Sequence, residues 1–162
     1  MKSRLYLETT IVSYLTAWPS RELVMQANQQ LTQEWWTRRR ESFDLYISQV
    51  VMEEASAGDL EAARKRMEIL SPIPKLEITD DAESLAVALV EGMKLPERAK
   101  ADALHIAISA VNGIDFLLTW NCRHIANAVL RPRIERICRD AECEPPVICT
   151  PQELLEREDQ HA

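Results

Sequence analysis

The sequence predicts an α/β fold in which a parallel β-sheet of about five strands is covered by helices on both faces. Two observations indicate this class. Short strand-like segments alternate with helical patterns along the chain, as in folds built from βαβ units. The strand-like segments are mostly apolar rather than alternating, which is typical of strands buried on both faces. A chain of 162 residues is also long enough for one such domain.

Five segments have the length and composition of buried strands. Each is short and is bounded by turn residues or by the end of a helical pattern. In chain order they span residues 4–8, 44–48, 75–79, 116–119 and 147–150. Each ends on a polar residue. Because ligands of such folds bind beyond the carboxyl ends of the strands, these polar positions mark the candidate site.

Helical patterns fill the intervals between the strands, with apolar residues every three or four positions. The predicted helices span residues 10–17, 20–40, 50–57, 59–70, 80–92, 97–112, 122–128 and 131–142, and a last helix begins at Thr150. Ser20 is in position to cap the second of them. Asp80 and Glu83 form a capping-box pattern for the fifth, and Gly113 follows the end of the sixth.

Composition excludes several function classes. There are 19 Lys and Arg against 26 Asp and Glu, so the net charge is −7 and no generally basic surface is expected. The three glycines form neither a GxGxxG motif nor a P-loop, which excludes the usual nucleotide sites. The four cysteines contain no CxxC pair and predict free thiols in a reduced, cytoplasmic protein. We expect no signal peptide and no contact with a membrane.

Four oxygen-bearing side chains from distant positions are predicted to meet at the carboxyl ends of the strands. Glu8 closes the first strand, and Glu54 lies in the helix after the second. Asp102 lies early in the helix that leads to the fourth strand, and Asn121 follows that strand. Such hard oxygen ligands favour Mg²⁺ or Mn²⁺, which would relieve the repulsion between carboxylates. A site of this kind can orient a water and stabilise charge on a phosphate.

Of the four residues, Asp102 is the strongest indication of a functional site, because its helix is otherwise nearly all apolar. With His105 and Ser109 it forms one polar stripe at positions i, i+3 and i+7. A carboxylate on such a helix needs a partner or a metal. The alternative is an early-turn acid that complements the helix dipole. For His105 we favour a structural role over a hydrogen bond near the site.

Four motifs in order resemble those of PIN-domain proteins of the VapC-like toxin type. Tyr6-Leu-Glu-Thr-Thr-Ile-Val-Ser-Tyr-Leu15 is similar to the first motif, and Ile47-Ser-Gln-Val-Val-Met-Glu-Glu54 is similar to the second. Ala101-Asp-Ala-Leu-His-Ile-Ala107 resembles the third and is the most specific match. Leu118-Thr-Trp-Asn121 resembles the fourth. The resemblance covers nearly the whole chain, about residues 4–155.

The resemblance implies a fold, an activity and partners. The fold is a PIN-like three-layer α/β/α sandwich, with a single domain over residues 1–156 and a frayed tail over 157–162. The activity is Mg²⁺- or Mn²⁺-dependent hydrolysis of RNA phosphodiesters by a toxin-like endoribonuclease. The family also implies a homodimer and an antitoxin protein whose segment fills the acidic groove.

Residue by residue, the resemblance assigns catalytic and metal-holding roles to the four predicted oxygen-bearing residues, Glu8, Glu54, Asp102 and Asn121. Thr10 and Thr119 are the accompanying hydroxyls. Glu54 is chosen over Glu53 because it lies six residues after Ser48, as the motif requires.

Two departures from the family pattern keep an alternative open. Glu8 stands where the family usually has Asp, and Asn121 stands where it often has Asp. The alternative is a PIN-fold module that binds RNA or a protein partner without cutting. A HAD-like phosphatase is disfavoured because it needs an Asp nucleophile and a second Asp two residues later, and the chain has Glu8 and Thr10 there.

Two groups of arginines are candidates for contact with RNA. Arg38, Arg39 and Arg40 follow two tryptophans at the end of a long helix, and Arg133 and Arg136 share a face of a later helix. The alternative for the first group is cations that complement a helix C-terminus, with Trp35 in the core. The alternative for the second group is an ordinary solvated face.

Overall fold

The computed structural model describes residues 1–155, and within them five strands form one parallel sheet. The strands are β1 (Ser3–Leu7), β2 (Phe43–Ser48), β3 (Lys75–Leu76), β4 (Phe116–Leu118) and β5 (Val147–Cys149). Their order in the sheet is β3-β2-β1-β4-β5, so β1 is central. Every neighbouring pair is parallel, for example Leu5 with Leu45 and with Phe116. The predicted five-stranded parallel sheet is confirmed.

Helices cover both faces of this sheet. They are α1 (Thr9–Thr16), α2 (Leu23–Arg39), α3 (Gln49–Ala55), α4 (Leu60–Leu70), α5 (Asp80–Met93), α6 (Lys100–Val111) and α7 (Arg131–Asp140). Since crossovers between parallel strands are right-handed, the strand order places α1 to α4 on one face and α5 to α7 on the other. The packing agrees, because α1 contacts α2, α3 and α4, and α5 contacts α6 and α7. The three-layer α/β/α sandwich is therefore confirmed.

The two central strands are buried on both faces, which explains their apolar sequence. Leu5 and Tyr6 of β1 and Leu117 and Leu118 of β4 are fully inaccessible to solvent. Each such side chain stabilises the fold by roughly 1.5–3 kcal/mol relative to an exposed one. Burial of both faces therefore places β1 and β4, and the residues Glu8 and Thr119 that directly follow them, in the packed interior.

The caps of two helices differ from the prediction. Glu22, not Ser20, caps α2, and its carboxylate accepts hydrogen bonds from two backbone N–H groups of the first turn. The Ser20 hydroxyl instead accepts from the backbone N–H of Glu22 at 3.1 Å. Thr79, not Asp80, caps α5 through its hydroxyl. In both cases the residue in the cap position has extended backbone and a side-chain oxygen within reach of the first turn.

Two predicted elements are shorter or absent. The predicted strand 75–79 is paired only over Lys75–Leu76. The predicted helix 122–128 is a series of turns, because Asn121 and Asn127 accept hydrogen bonds from nearby backbone N–H groups and compete with helical bonding.

The end of the chain is described only in part. The backbone N–H of Thr150 donates to the Glu153 carboxylate at 3.0 Å, and residues 151–154 form a turn in place of the predicted start of a helix. The rest of that predicted helix and the predicted tail 157–162 lie outside the described residues.

Candidate metal centre

The candidate site lies where β1 and β4 end side by side. The chain leaves β1 toward one face of the sheet and leaves β4 toward the other, which makes this the topological switch point of the fold. Glu8 directly follows β1, and Thr119 directly follows β4. The backbone N–H of Glu8 donates to the carbonyl of Leu118 at 3.1 Å, so the two strand ends are held in register. We call this side of the sheet the carboxyl edge.

Glu8 is buried and is anchored through one of its two oxygens. Its side chain caps α1, and only 3% of the residue is exposed. Oε1 accepts hydrogen bonds from the backbone N–H of Thr10 at 3.1 Å, from the Thr10 hydroxyl and from the Thr119 hydroxyl at 2.7 Å. Within residues 1–155, Oε2 accepts no hydrogen bond. The two predicted supporting hydroxyls, of Thr10 and Thr119, therefore both donate to Oε1 of Glu8, and its Oε2 receives no hydrogen bond from residues 1–155.

Glu54, in α3, has the same arrangement. Its Oε1 accepts hydrogen bonds from the Thr9 hydroxyl at 2.7 Å and from His105 Nε2 at 2.6 Å. No hydrogen bond to its Oε2 occurs in the described part of the chain. The side chain is 36% exposed. Burial alone would raise the pKa of Glu54, but the hydrogen bonds from His105 and from the Thr9 hydroxyl hold that pKa below its usual value of 4.5.

Glu8 and Glu54 lie close enough to share a cation. One ligand atom from each, together with a ring nitrogen of His105, lie within 4.8 Å of one another. Two ionised carboxylates at such a distance repel, and a divalent cation removes the repulsion. Because both free donors are carboxylate oxygens, the set fits Mg²⁺ or Mn²⁺.

Asp102 and Asn121 are joined through His124. The Asp102 carboxylate lies 2.9 Å from His124 Nδ1, and Asn121 Oδ1 accepts a hydrogen bond from the backbone N–H of His124 at 3.1 Å. The Asp102 side chain is 16% exposed. Asn121 also donates its backbone N–H to the Thr119 hydroxyl at 2.9 Å.

The Thr119 hydroxyl therefore connects the two parts of the site. It donates to Glu8 and accepts from Asn121, and it is fully buried. The structure thus places Glu8 and Glu54 in one compact group, and Asp102 and Asn121 in a second group reached through Thr119. The predicted four residues lie at the same edge, but only the first two are in the group defined by the 4.8 Å distance.

The sequence prediction did not assign Thr9, His105 and His124, which contact the site carboxylates directly, or Tyr6, which contacts His105. His105 makes the hydrogen bond near the site that the sequence analysis had disfavoured. The sequence contains an indication for two of these residues, His105 and His124. His105 shares the polar stripe of Asp102, and His124 follows Asn121 by one helical turn spacing. Tyr6 carried none, because a tyrosine inside an apolar strand is compatible with simple core packing.

The arginines predicted to contact RNA lie in two different places. The helix α2 ends at Arg39 and leads to the start of β2, so Arg38, Arg39 and Arg40 lie at the amino edge of the sheet, opposite Glu8. Arg38 pairs with Glu34 at 2.7 Å, and Arg39 and Arg40 lie over aromatic rings.

Trp35 is fully buried, so the alternative that placed it in the core is confirmed. Arg133 and Arg136 are exposed on α7, which begins on the side of the carboxyl edge. RNA contact stays a prediction for both groups, and the second lies on a helix that begins on the same side of the sheet as the carboxylates.

None of the described helices is both long and apolar enough to cross a membrane.

Comparison with known proteins supports the fold. No protein-family model and no curated protein sequence matches this chain. The structure is similar to a chain of the crystal structure of VapBC2 from Rickettsia felis bound to a DNA fragment from their promoter. The TM-score is 0.53 at 15% sequence identity, and the match covers 90% of this chain and 97% of that chain. The chain therefore has a PIN-like fold, as its four motifs predicted.

Proposed function

We propose that this protein is a Mg²⁺- or Mn²⁺-dependent endoribonuclease of the VapC-like toxin type. The observation that carries the proposal is the pair Glu8 and Glu54. Both lie at the switch point of the sheet, each is anchored through Oε1, and each leaves Oε2 without a hydrogen bond from residues 1–155. Such a pair is unfavourable without a cation and is suited to holding one.

The roles of the residues follow from their anchoring. Glu8 and Glu54 would hold the cation through their free oxygens, and Asp102 and Asn121 would assist directly or through water. When bound, the cation would supply an activated water and would stabilise charge on the phosphate under attack. Thr10 and Thr119 fix the rotamer of Glu8, so that the cation site is formed before substrate arrives.

The glutamate at position 8 is compatible with this role although the family usually has Asp there. The longer side chain reaches the N–H of Thr10 and the hydroxyl of Thr119 at the same time. Those bonds remove the extra rotational freedom that a glutamate brings.

The partners in this proposal are an RNA substrate, an antitoxin protein and a second copy of the chain, in the cytoplasm. The neighbouring structure is of VapBC2 bound to a promoter fragment, which supports an antitoxin partner by analogy. The four cysteines are free thiols, as expected for a reducing compartment.

A second candidate function is a module that binds RNA or a protein without cutting. The observation that favours it is the second half of the site. Asn121 brings no charge, and the Asp102 carboxylate is already engaged by His124. Among residues 1–155, Glu8 and Glu54 are the two carboxylates in the group defined by the 4.8 Å distance, and Asp102 lies outside it. The affinity for a cation would therefore be lower than in a site of four acids.

The test is cleavage of a mixed single-stranded RNA pool by the purified protein in Mn²⁺, in Mg²⁺ and in EDTA. The variants are Asp102→Asn and Glu54→Gln, with Glu53→Gln as the matched control. Glu53 is the neighbouring acid of α3 and is exposed outside the site. We expect cleavage that needs the metal, is lost in the two site variants and is retained in the control.

Other outcomes separate the two candidates. Absence of both cleavage and calorimetric Mn²⁺ binding favours the non-cutting module. Mn²⁺ binding without cleavage indicates that the pool lacks the substrate. Cleavage that persists unchanged in Asp102→Asn and Glu54→Gln would overturn the proposed site.

A further inference from the structure

A buried group of three polar side chains lies behind Glu54. It consists of Ser48, Tyr6 and His105, and we call it the Tyr6 triad. The Tyr6 hydroxyl lies 2.7 Å from Ser48 Oγ and 2.7 Å from His105 Nδ1, and His105 Nε2 lies 2.6 Å from Glu54 Oε1. All three members of the triad are completely buried. They come from three different elements: the end of β2, the middle of β1 and the helix α6.

Core packing alone does not account for the triad. Tyr6 lies in the central strand between Leu5 and Leu7, where a phenylalanine would fill the space without a hydroxyl. Burying polar groups costs free energy unless each one finds a partner, and a chain of such groups is stabilising only when it is complete. The arrangement is complete because its last member reaches the carboxylate of Glu54.

The direction of the hydrogen bonds follows from counting donors. If Ser48 donates to Tyr6, Tyr6 donates to His105 Nδ1 and His105 Nε2 donates to Glu54, every buried O–H and N–H has an acceptor. In the opposite direction the Ser48 hydroxyl hydrogen has no acceptor among residues 1–155. Buried donors without acceptors are rare, so the first direction is favoured.

This direction determines which atom of the cluster is free to bind a cation. His105 Nε2 carries a hydrogen that points at Glu54, so this nitrogen has no lone pair for a metal. His105 therefore does not act as a ligand, although its ring lies within the 4.8 Å group. Instead it occupies Oε1 of Glu54 together with Thr9 and leaves Oε2 for the cation.

We propose that the Tyr6 triad is a positioning device that fixes the orientation of the Glu54 carboxylate and thereby sets the affinity of the site for its divalent cation. This inference rests on the proposed function, since it assumes that Glu54 is a ligand. Groups that orient a metal ligand in this way typically contribute 10–100-fold to metal affinity or activity.

The test measures Mn²⁺ affinity by calorimetry and RNA cleavage as a function of Mn²⁺ concentration. Tyr6→Phe removes one hydroxyl and keeps the ring. His105→Gln keeps an amide N–H near the position of Nε2, whereas His105→Asn has a side chain too short to reach Glu54. Ser109→Ala is the matched control, because it removes a buried hydroxyl of the same helix whose one partner within residues 1–155 is the backbone carbonyl of His105.

We expect the dissociation constant for Mn²⁺ to rise about 10-fold in Tyr6→Phe and up to about 100-fold in His105→Asn. In His105→Gln most of the affinity should return, and Ser109→Ala should equal the wild type. High Mn²⁺ should restore cleavage by Tyr6→Phe, because the defect lies in metal affinity. A purely structural role would lower cleavage equally at every Mn²⁺ concentration and would not distinguish His105→Gln from His105→Asn.

Two results would overturn the inference in different ways. Wild-type affinity in both Tyr6→Phe and His105→Asn would show that the triad does not act on the site, while wild-type cleavage would leave the proposed function intact. Absence of Mn²⁺ binding by the wild type would overturn both. If His105→Asn does not fold, the isosteric Tyr6→Phe variant decides the question alone.

Discussion

The two edges of the sheet use their polar residues in opposite ways. At the carboxyl edge, hydroxyls and N–H groups converge on one oxygen of Glu8 and one oxygen of Glu54, and the second oxygens stay free. At the amino edge, Arg4 donates to the backbone carbonyls of Asn112 and Gly113 at the end of α6 and lies over the ring of Tyr46.

This difference in hydrogen bonding between the two edges indicates that the carboxyl edge serves function and the amino edge serves stability. Arg4 at the amino edge has its donors on carbonyls and its plane on an aromatic ring, so it holds elements together. Carboxylates at the carboxyl edge keep unused acceptors in a partly enclosed place, where they repel each other in the absence of a cation. Substitutions at the carboxyl edge should therefore change activity more than stability, and substitutions at the amino edge should do the reverse.

The largest expected effect is that of Glu8→Gln. The amide oxygen can still accept from Thr10 and Thr119, so the cap of α1 is retained and the melting temperature should stay near that of the wild type. The charge on the cation ligand is lost, so Mn²⁺-dependent RNA cleavage should fall by more than about 100-fold, beyond the range seen for groups that only orient a ligand. Loss of folding along with activity would contradict the separation of the two edges.

The next largest expected effect is that of Thr119→Val. Valine keeps the shape but removes the hydroxyl that donates to Glu8 and accepts from Asn121. We expect a 10–100-fold loss of cleavage and a decrease of about 1–3 kcal/mol in the free energy of unfolding. Thr119→Ser keeps the hydroxyl and should retain most of the activity. Equal activity of the two variants would show that this hydroxyl does not organise the site.

Arg4→Met tests the amino edge. The variant keeps an apolar stem over Tyr46 but loses the bonds to the end of α6. The free energy of unfolding, measured by denaturant titration, should fall by about 1–2 kcal/mol. Metal affinity and cleavage at 25 °C should not change. A fall in Mn²⁺ affinity would show that the two edges are coupled.

The smallest expected effect is the pH dependence contributed by Glu54. Its pKa in the folded protein lies below its usual value, chiefly because of His105, so its ionised form stabilises the fold at pH values above the usual pKa. That contribution is lost as the pH falls through the lowered pKa of the folded state. In EDTA, the stability of the wild type relative to Glu54→Gln should therefore fall as the pH is lowered from 7 to below about 4. A difference that does not depend on pH would contradict this assignment.

Most of the fold could be predicted because its signals are local. Apolar runs mark β1, β2 and β4, and proline, glycine and capping residues mark several helix ends. The predicted helix over 122–128 was wrong because the side chains of Asn121 and Asn127 bond to nearby backbone groups. The composition of the segment does not reveal whether these side-chain bonds or helical backbone bonds are the more stable.

The site was predictable only in part. Alternation of strands and helices indicates which residues reach the carboxyl edge, so Glu8, Glu54, Asp102 and Asn121 could be named. The pairing of Tyr6 with Ser48 and His105 depends on side-chain directions across three elements, which sequence spacing does not provide. Likewise, only the structure shows that His124 engages Asp102.

Because Thr119 anchors Glu8, the site can form only after Thr119 has been synthesised. The two residues are separated by 111 positions, so β1 and Glu8 are made long before β4 and Thr119. At about 5–20 residues per second, the interval is roughly 5–20 seconds. During it the nascent chain has neither the central pairing of β1 with β4 nor the bond that fixes Glu8. The ribosome thus adds residues 1–118 before the proposed RNA-cleaving site can exist, which delays any attack on the message being translated.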